Sequence, residues 1–500
     1  MNGFLKNIFK RNQSPFEKTE LGQLLTLCQE SNDFLTFRLR DDSPFFVSFY
    51  KTLINPDTVH QNILAALSNK KLADLQTIKE QLPIEDLLIT ENASKIKDKL
   101  MAGHVIFYQK EKSPSCLLVP ALAVEKRQVA VPETEYTVIG PKEAFVEALD
   151  TNVNLVRKRL PVPELQMKEM VVGKLSKTRV KVAYVKGIAN QENINTVIQR
   201  IQEIEYDQIP DSSFLMQMIT DNKSSLFPQI VDTERPDRAA SALSEGKIAI
   251  LVDGSPHVLL APTTLIEFFS AFEDYFYTWG IASVFRLIRL FAVTFSALST
   301  PAYVAVLTYH YEMIPQDLLN TLVSSRSGIP FPPILEALIL ELTIELLREA
   351  GARLPTKVGQ TIGIVGGIVI GTAAVQAGLT SNVLLIIVAL SALASFTTPI
   401  YQVSYAIRFI RFPFLLSAQF LGLVGIMVCM ALLFFHILNL SSLGRPFLEP
   451  IFPLRRMDLK DAIFRLPFDQ QRLRPLQVRT EQSERFGKQP PPENNRDIDE

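Results

Sequence analysis

An apolar stretch at residues 334–350 carries the charged side chains whose spacing could do chemistry. Glu341, Glu345 and Arg348 fall three or four residues apart, so a helix places them on one side. Two geometries are open for such a helix. It could lie in a membrane interface with its charges in water, or it could cross the membrane with its charges facing protein or water, which would mark an ion path. The three residues are therefore candidates for an ion path or for coupling.

The segment that follows is uncharged. Between Lys357 and Arg408 the chain contains no Asp, Glu, Lys or Arg. One membrane helix needs about 20 mostly apolar residues, so this run has room for two spans, at about 358–377 and 383–404. Glycine recurs at every fourth position of the first span, and such a stripe lets a neighbouring helix approach closely. The stripe consists of Gly359, Gly363, Gly367 and Gly371.

The opposite face of this glycine helix is polar at its ends and apolar in its middle. Its residues are Thr361, Val365, Ile368, Val369, Thr372 and Gln376. A water-filled pore with a hydrophobic constriction would use such a face, which makes these residues pore-lining candidates. Alternatively, the threonines and the glutamine hydrogen-bond to other membrane helices. The residues alone leave both interpretations open.

Enzymatic chemistry, metal binding and nucleic-acid binding are not indicated by the sequence. The five histidines are scattered, and the three cysteines form neither a C-x-x-C motif nor a Cys/His cluster. The balance of 51 basic and 52 acidic residues gives no attraction to nucleic acid. The glycines between 363 and 371 follow no strand, so they fail the context test for a dinucleotide loop. We therefore predict a protein that is not an enzyme and uses no metal or cofactor.

Two soluble subdomains are expected before the membrane half. Residues 1–32 are predicted to be an N-terminal tail. Short β-type runs at 34–39 and 45–50 alternate with helical patterns, which predicts a first α/β subdomain at 33–124. A second α/β subdomain is predicted at 125–262. The predicted fold class is a multi-domain membrane protein, with two N-terminal α/β subdomains followed by an all-α transmembrane domain of four or five helices.

The membrane half begins with an aromatic segment at 263–285, a composition typical of the membrane interface. The transmembrane domain is predicted at 286–440. Besides the two uncharged spans, it would contain spans at about 290–308, at 334–350 if the charged helix crosses, and at 414–438, the last following a basic loop at Arg408 and Arg411. An amphipathic surface segment at 441–468 and a disordered tail at 469–500 would follow.

The orientation of this domain is predicted from its basic residues. Arg286 and Arg289 at the start of the first span place the soluble half on the cytoplasmic side. The same rule gives conflicting answers for the later loops, so the side of the C-terminal tail is left open.

Several motifs, taken together with the glycine stripe, are similar to those of one family. They are Gly140-Pro141-Lys142, Arg157-Lys158-Arg159, Phe227-Pro228-Gln229, Thr233-Glu234-Arg235-Pro236-Asp237, Val252-Asp253-Gly254-Ser255-Pro256, Glu273-Asp274-Tyr275 and Pro330-Phe331-Pro332-Pro333. Over roughly residues 131–468 the chain resembles the A subunit of the spore germinant receptors, the GerA family.

The resemblance implies a multi-pass protein of the spore inner membrane, in contact with membrane lipid. It implies partners too: a transporter-like B subunit and a lipoprotein C subunit, in a receptor that responds to small nutrients. The A subunit would form a ring-shaped homo-oligomer with a nutrient-gated ion path, and that favours the pore interpretation of the glycine helix. Rival functions are an accessory protein of dipicolinate release, a stand-alone secondary transporter and a structural scaffold.

The charged residues of the motifs are candidates for assembly or coupling. They are Arg157, Glu234, Arg235 and Asp237. An equally open alternative for the last three is an internal ion-pair network that fixes a loop, because buried charges generally require pairing. Arg157 could lie on a solvated helix face or at a subunit contact.

Overall fold

The chain divides into two units. The structure is a computed structural model that describes residues 16–485 except 17–18, 42, 69, 71, 111–114, 123–131, 133–134, 136, 355–366, 368, 456–457, 459–461 and 463. The soluble unit comprises Met1–Lys223, Ile230–Pro262 and Phe468–Glu500. The helical unit comprises Ser224–Gln229 and Thr263–Pro467.

The first subdomain of the soluble unit is an antiparallel sheet with strand order β1-β2-β4-β5-β3. Successive side chains of a strand point to opposite faces, so Val105 and Phe107 lie in one core and Ile106 and Tyr108 in another. The strands are β1 (Phe34–Arg38), β2 (Phe45–Tyr50), β3 (Leu88–Thr90), β4 (His104–Gln109) and β5 (Cys116–Pro120). The helices are α1 (Glu20–Gln29), α2 (Ala65–Leu67, after a π-helical turn at Thr58–Leu64), α3 (Leu75–Gln81) and α4 (Ala93–Met101).

The second subdomain repeats this topology. Its antiparallel sheet has the order β6-β7-β9-β10-β8, and each subdomain runs helix, two strands, two helices, strand, helix, two strands. The strands are β6 (Leu165–Val172), β7 (Thr178–Val185), β8 (Val231–Thr233), β9 (Ile248–Val252) and β10 (Val258–Ala261). The helices are α5 (Leu149–Arg159), α6 (Gln191–Gln202), α7 (Ser212–Ile219) and α8 (Pro236–Ser244).

The N-terminal boundary differs from the prediction. Residues 1–32 were expected to be a tail, but α1 belongs to the first subdomain. Thr19 caps its first turn by accepting a hydrogen bond from the Gly22 amide. Leu21, Leu25 and Cys28 are buried in the core on one face of the sheet. The predicted strands at 34–39 and 45–50 are confirmed as β1 and β2.

The helical unit contains four long helices and one short one among the described residues. They are α9 (Trp279–Tyr309), α10 (Gln316–Arg326), α11 (Pro333–Arg353), α12 (Asn382–Ser395) and α13 (Tyr401–Leu438). The described part of the glycine helix, 369–376, is also helical. In the part of the chain that the structure describes, α9 and α13 are long and apolar enough to cross a membrane. The total of four or five spans stays a prediction.

Three boundaries of this unit differ from the predictions. The span at 383–404 is divided, because α12 ends at Ser395 and α13 begins at Tyr401. Arg408 and Arg411 lie inside α13 and not in a basic loop. The span at 414–438 is the second part of that same helix, and it is interrupted at Gly422, whose φ of 58° and ψ of −139° are not helical.

The segments flanking the long helices are more buried than their composition suggests. In the aromatic segment, Asp274 is buried and pairs with Arg289 at 3.0 Å. At 441–468 the described residues form a short hairpin of β11 (Ser441–Ser442) and β12 (Arg445–Pro446) followed by turns at 447–454, and Asp458 and Ala462 are helical. Arg465 is buried and donates to the Asp274 carbonyl at 2.7 Å. The predicted amphipathic surface segment is therefore packed against the helical unit at Arg465, and its position on a membrane surface stays a prediction.

The C-terminal segment at 468–485 also differs from the prediction of a disordered tail. It packs on the second subdomain of the soluble unit, where the Val478 side chain is fully buried and its carbonyl accepts from the Asn193 amide at 3.2 Å. Arg485 pairs with Glu245 at 2.9 Å. We call this segment the C-terminal strap.

Candidate functional site

The charged face of α11 lies inside the helical unit. Glu341 is 1% exposed and forms an ion pair with Arg411 of α13. It also accepts a hydrogen bond from the Thr300 hydroxyl of α9 at 2.8 Å. Arg411 in turn donates to the Ser296 hydroxyl of α9 at 2.8 Å. The pair thus joins α9, α11 and α13. On α9 its hydrogen-bond partners are the hydroxyl groups of Thr300 and Ser296.

A second pair lies about one turn further along α11. Glu345 accepts from Nε of Arg408 at 3.0 Å and also from a terminal nitrogen of the same guanidinium. Arg348 points to the end of α12, where it donates to the Ala392 carbonyl at 2.6 Å and to the Ser395 hydroxyl at 2.8 Å. The last carbonyls of a helix have no partner within the helix and carry partial negative charge. Arg348 therefore serves as a cationic cap for α12.

We call Glu341, Glu345, Arg348, Arg408 and Arg411 the charge seam. An ion pair removed from water is stable only when its geometry is good and its other polar atoms are satisfied. The Glu341 carboxylate meets that condition, because Thr300 and Arg411 both donate to it, whereas the Nε of Arg411 is buried without a hydrogen-bond partner among the described residues. Of the two geometries left open for α11, the contacts favour a helix with its charges facing protein.

A further acidic residue of α11 was missed by sequence reasoning. Glu336, in the first turn of α11, is 1% exposed. One carboxylate oxygen accepts from Arg326 at 2.9 Å, and the other accepts from the Ser381 amide at 3.1 Å. Glu336 is a buried acid with two donors that are distant in the chain, and spacing along one helix gives no signal for either.

The glycine helix is described from residue 369 onward, together with Gly367. A Cβ at Gly371 would contact the Leu385 side chain of α12 at 3.6 Å, so this edge of the helix packs against α12. Val369, Thr372 and Gln376 lie on the other side of the helix, and all three are exposed. The side chain of Val369 is 55% exposed. Among the described residues, apart from the neighbouring backbone of the same helix, no heavy atom lies within 4 Å of a Cβ built at Gly367.

The remaining residues of the two predicted faces lie outside the described residues. They are Gly359, Gly363, Thr361, Val365 and Ile368. The assignment of a packing face and a pore-lining face to this helix therefore stays a prediction.

Arg157 lies at the joint between the two soluble subdomains. Its guanidinium donates to both carboxylate oxygens of Asp33, at 2.6 and 2.7 Å, and to the Ser31 hydroxyl at 3.0 Å. It also stacks over the Tyr50 ring at 4.1 Å. Both charged side chains are fully buried. Arg157 is therefore neither on a solvated helix face nor, in a single copy, available for a subunit contact.

The electrostatics of this joint favour the ion pair. Burial alone would raise the pKa of Asp33, but the adjacent Arg157 guanidinium and the hydroxyls of Ser31 and Thr52 hold it below its ordinary value. Burial raises the pKa of Cys28 in the same core to about 11, so this thiol stays protonated at neutral pH.

The charged residues of the Thr233–Asp237 motif form an internal network. The Arg235 guanidinium donates to the Asp237 carboxylate at 2.6 and 3.1 Å and to the Pro141 carbonyl at 3.1 Å. Glu234 lies 3.5 Å from the His257 ring. The contacts of Arg235 and Asp237 match the loop-fixing alternative, and they tie Gly140-Pro141-Lys142 to the same motif. Whether these residues also act in assembly or coupling stays a prediction.

Within the described ranges, the structure brings together no group of His, Cys, Asp or Glu side chains that could hold a metal ion. The arrangement therefore offers two kinds of feature: buried ion pairs that fix elements to one another, and an exposed, uncharged helix face.

Comparison with known proteins gives matches along most of the chain. The family model described as "Bacillus/Clostridium GerA spore germination protein" matches residues 22–477. Spore germination protein GerQA of Bacillus cereus is 52% identical over 467 residues, covering 93% of this chain and 94% of that protein. Spore germination protein KA of Bacillus subtilis (strain 168) is 35% identical over 452 residues, covering 89% of this chain and 83% of that protein.

Among solved structures, the N-terminal domain of the A subunit of the Bacillus megaterium spore germinant receptor GerK3 is similar to part of this chain. The two share 26% sequence identity with a TM-score of 0.38, and the match covers 48% of this chain and 92% of that domain.

Proposed function

The chain belongs to the GerA family of spore germination proteins, and we propose that it is the A subunit of a nutrient-sensing receptor that forms or gates an ion-conducting oligomer. Its partners in this proposal are further copies of the chain, a transporter-like B subunit and a lipoprotein C subunit. The membrane is the spore inner membrane, with the soluble unit on the cytoplasmic side.

The observation that carries the proposal is the exposed face of the glycine helix. This helix follows α11, whose Glu341 and Glu345 are paired inside the unit, and it carries no charge of its own. Val369, Thr372 and Gln376 are exposed in a single copy. In a symmetric ring each copy presents the same face to the axis, so this face would form a pore wall with an apolar ring and flanking polar rings.

The charge seam is assigned a structural role in this proposal. A carboxylate that conducts ions must exchange partners with them, whereas Glu341 and Glu345 are held by Arg411 and Arg408. The seam fixes α11 against α13, and Arg348 fixes α11 against α12. We therefore propose that conduction takes place along the glycine helix, and that the seam provides the rigid frame around it.

Because the C-terminal strap belongs to the soluble unit, it restricts the number of membrane crossings in our proposal. The chain leaves the soluble unit after Pro262 and returns to it at Phe468. A folded soluble unit lies on one side of a membrane, so the segment between these residues must cross an even number of times. We therefore propose an even number of crossings, with the C-terminal strap on the same side as the N-terminal half, and this proposal disfavours the five-span alternative. The positive-inside rule, which we applied to Arg286 and Arg289, counts basic residues near the ends of membrane spans. Both arginines pair with Asp274, so they are weaker evidence for the orientation than unpaired arginines would be.

The experiment that tests the function is ion flux through the purified receptor complex in liposomes, with and without nutrient. A nutrient-dependent current is expected. Saturable nutrient uptake without a current would instead indicate a transporter. Val369→Ser should add a nutrient-independent leak, because a hydroxyl wets an apolar constriction.

The matched control is the next residue, Ile370. It is 40% exposed but lies about 100° away around the helix. Ile370→Ser should leave the resting current unchanged. Equal leaks from the two variants, or none from Val369→Ser in assembled protein, would refute the pore assignment of this face.

A further inference from the structure

We infer that Glu336, held by Arg326, is the positioning residue that fixes the far end of the glycine helix, and so sets the resting state of the pore. This inference rests on the proposed function of that helix. It concerns the turn that follows the helix, at 377–381, and the elements that hold the turn in place.

The turn is held on three sides. Glu336 of α11 accepts the Ser381 amide at 3.1 Å. The Tyr303 hydroxyl of α9 lies 3.2 Å from the Ser381 hydroxyl. Gly378 has a φ of +67°, and a Cβ on it would lie 3.2 Å from the Gly328 carbonyl after α10. The turn therefore contacts the three elements α9, α11 and the loop after α10.

Ser381 transmits this constraint to the next helix. Its hydroxyl accepts the Leu384 amide at 3.2 Å and so caps the first turn of α12. The same residue is thus held by Glu336 through its amide and holds α12 through its side chain. On its other side, the turn closes the glycine helix through the Leu379 amide, which donates to the Ala374 carbonyl at 2.9 Å.

Arg326 holds Glu336 in place. Its guanidinium pairs with Glu336 at 2.9 Å and also donates to the Phe331 carbonyl at 3.3 Å. Since Glu336 is 1% exposed, water cannot take the place of the Ser381 amide. Any rotation of the glycine helix that displaced its end would have to break this contact.

The expected effect follows from the strength of such a bond. Removing the acceptor of a buried donor, whatever the charge of that acceptor, shifts an equilibrium by about tenfold or more. Glu336→Ala should therefore change the ratio of closed to open receptor about tenfold. The measurement is the ratio of resting to nutrient-evoked current in liposomes, together with the nutrient concentration for half-maximal current, on receptor that contains all its subunits.

Two variants separate positioning from general stability. Glu336→Gln keeps an acceptor for the Ser381 amide, so it should restore most of the wild-type current ratio. Glu312→Ala removes an exposed acid from the nearby turn at Tyr311–Met313 and should change nothing. Arg326→Gln weakens the same contact less severely than Glu336→Ala does. If Glu336→Ala does not accumulate, the current ratio of Arg326→Gln is used instead to accept or reject the inference.

The outcomes distinguish the inference from the function on which it rests. Absence of a nutrient-dependent current in the wild-type complex would overturn the proposed function. A normal wild-type current with an unchanged ratio in assembled Glu336→Ala, or in Arg326→Gln if the alanine variant is absent, would overturn the inference alone. A shifted ratio in Glu336→Ala that Glu336→Gln restores would support it.

Discussion

Replacing Arg157 by alanine should separate the two soluble subdomains locally. The side chain is fully buried and makes three hydrogen bonds across the joint, to Asp33 and Ser31, besides its stacking on Tyr50. Alanine removes all of them and leaves the Asp33 carboxylate buried without its cation. Thr52, which donates to Asp33 at 2.9 Å, stays in place but carries no charge.

The magnitude follows from the burial of the pair. Removing one partner of a buried ion pair costs about 3–5 kcal/mol, because the other charge stays behind unpaired. Loss of the desolvated stacking on Tyr50 adds up to about 2 kcal/mol. Taking the lower limit of about 3 kcal/mol, local opening of the joint should become more than about a hundredfold more frequent, since about 1.4 kcal/mol corresponds to a factor of ten.

The assay is amide hydrogen exchange on the full chain, because two amides report the joint directly. The Asn32 amide donates to the Met167 carbonyl at 2.9 Å, and the Met167 amide donates to the Ser31 hydroxyl at 3.0 Å. Both bonds cross between the subdomains. Their exchange should accelerate about a hundredfold in Arg157→Ala, whereas amides in the centre of β9 should change less.

A matched control lies two residues away on α5. Arg159 pairs with Glu143 at 2.6 Å, but both side chains are partly exposed, so Arg159→Ala should cost only about 0–1 kcal/mol. The double change Arg157→Met with Asp33→Asn removes both charges and should recover much of the loss. Equal exchange at the joint in Arg157→Ala and Arg159→Ala would refute the reasoning.

Three further predictions concern pH, assembly and the strap, and a fourth concerns the seam. The pKa of Asp33 is held low by Arg157, so its contribution to stability is complete above its ordinary pKa of 3.8 and is lost as pH falls from there through the lower folded value. The protection factors of the joint amides, which are corrected for the intrinsic pH dependence of exchange, should therefore be constant between about pH 7 and 5 and fall only below about pH 4. Arg235→Ala should reduce the amount of receptor complex measured by immunoblot, because it leaves Asp237 without its buried cation. Arg485→Ala should make the strap more accessible to protease in detergent while membrane insertion stays normal. Glu341→Gln should lower the melting temperature of the detergent-solubilised protein, and adding Arg411→Met should restore much of it.

Much of the soluble unit could be predicted from local pattern. β1 and β2 lie where alternation and turn residues place them. The shared topology of the two subdomains could not be predicted in this way. It depends on which strands pair, and in both sheets the third strand joins the edge beside the fifth. That choice is made by long-range packing.

The charged residues show the limit of local reasoning most clearly. Arg408 and Arg411 were assigned to a loop because arginine next to an uncharged run usually marks a membrane boundary. Their partners, Glu345 and Glu341, lie 63 and 70 residues earlier in the chain. Spacing predicted that these acids share a side of α11, but only the tertiary structure shows that α13 supplies their counter-ions. Asp33 and Arg157, 124 residues apart, are the same case in the soluble unit.

Under the proposed function, the pairing of these charges restricts where an ion path could run. Acids on α11 matched to arginines on α13 hold those helices together, because opening either pair would leave a charge buried. The glycine helix carries no such charge, and at Gly371 it faces the apolar Leu385 side chain of α12. Dispersion contacts of this kind resist sliding far less than a buried ion pair does. A gating movement is therefore expected to turn the glycine helix against a fixed frame, with Glu336 as the contact that must yield.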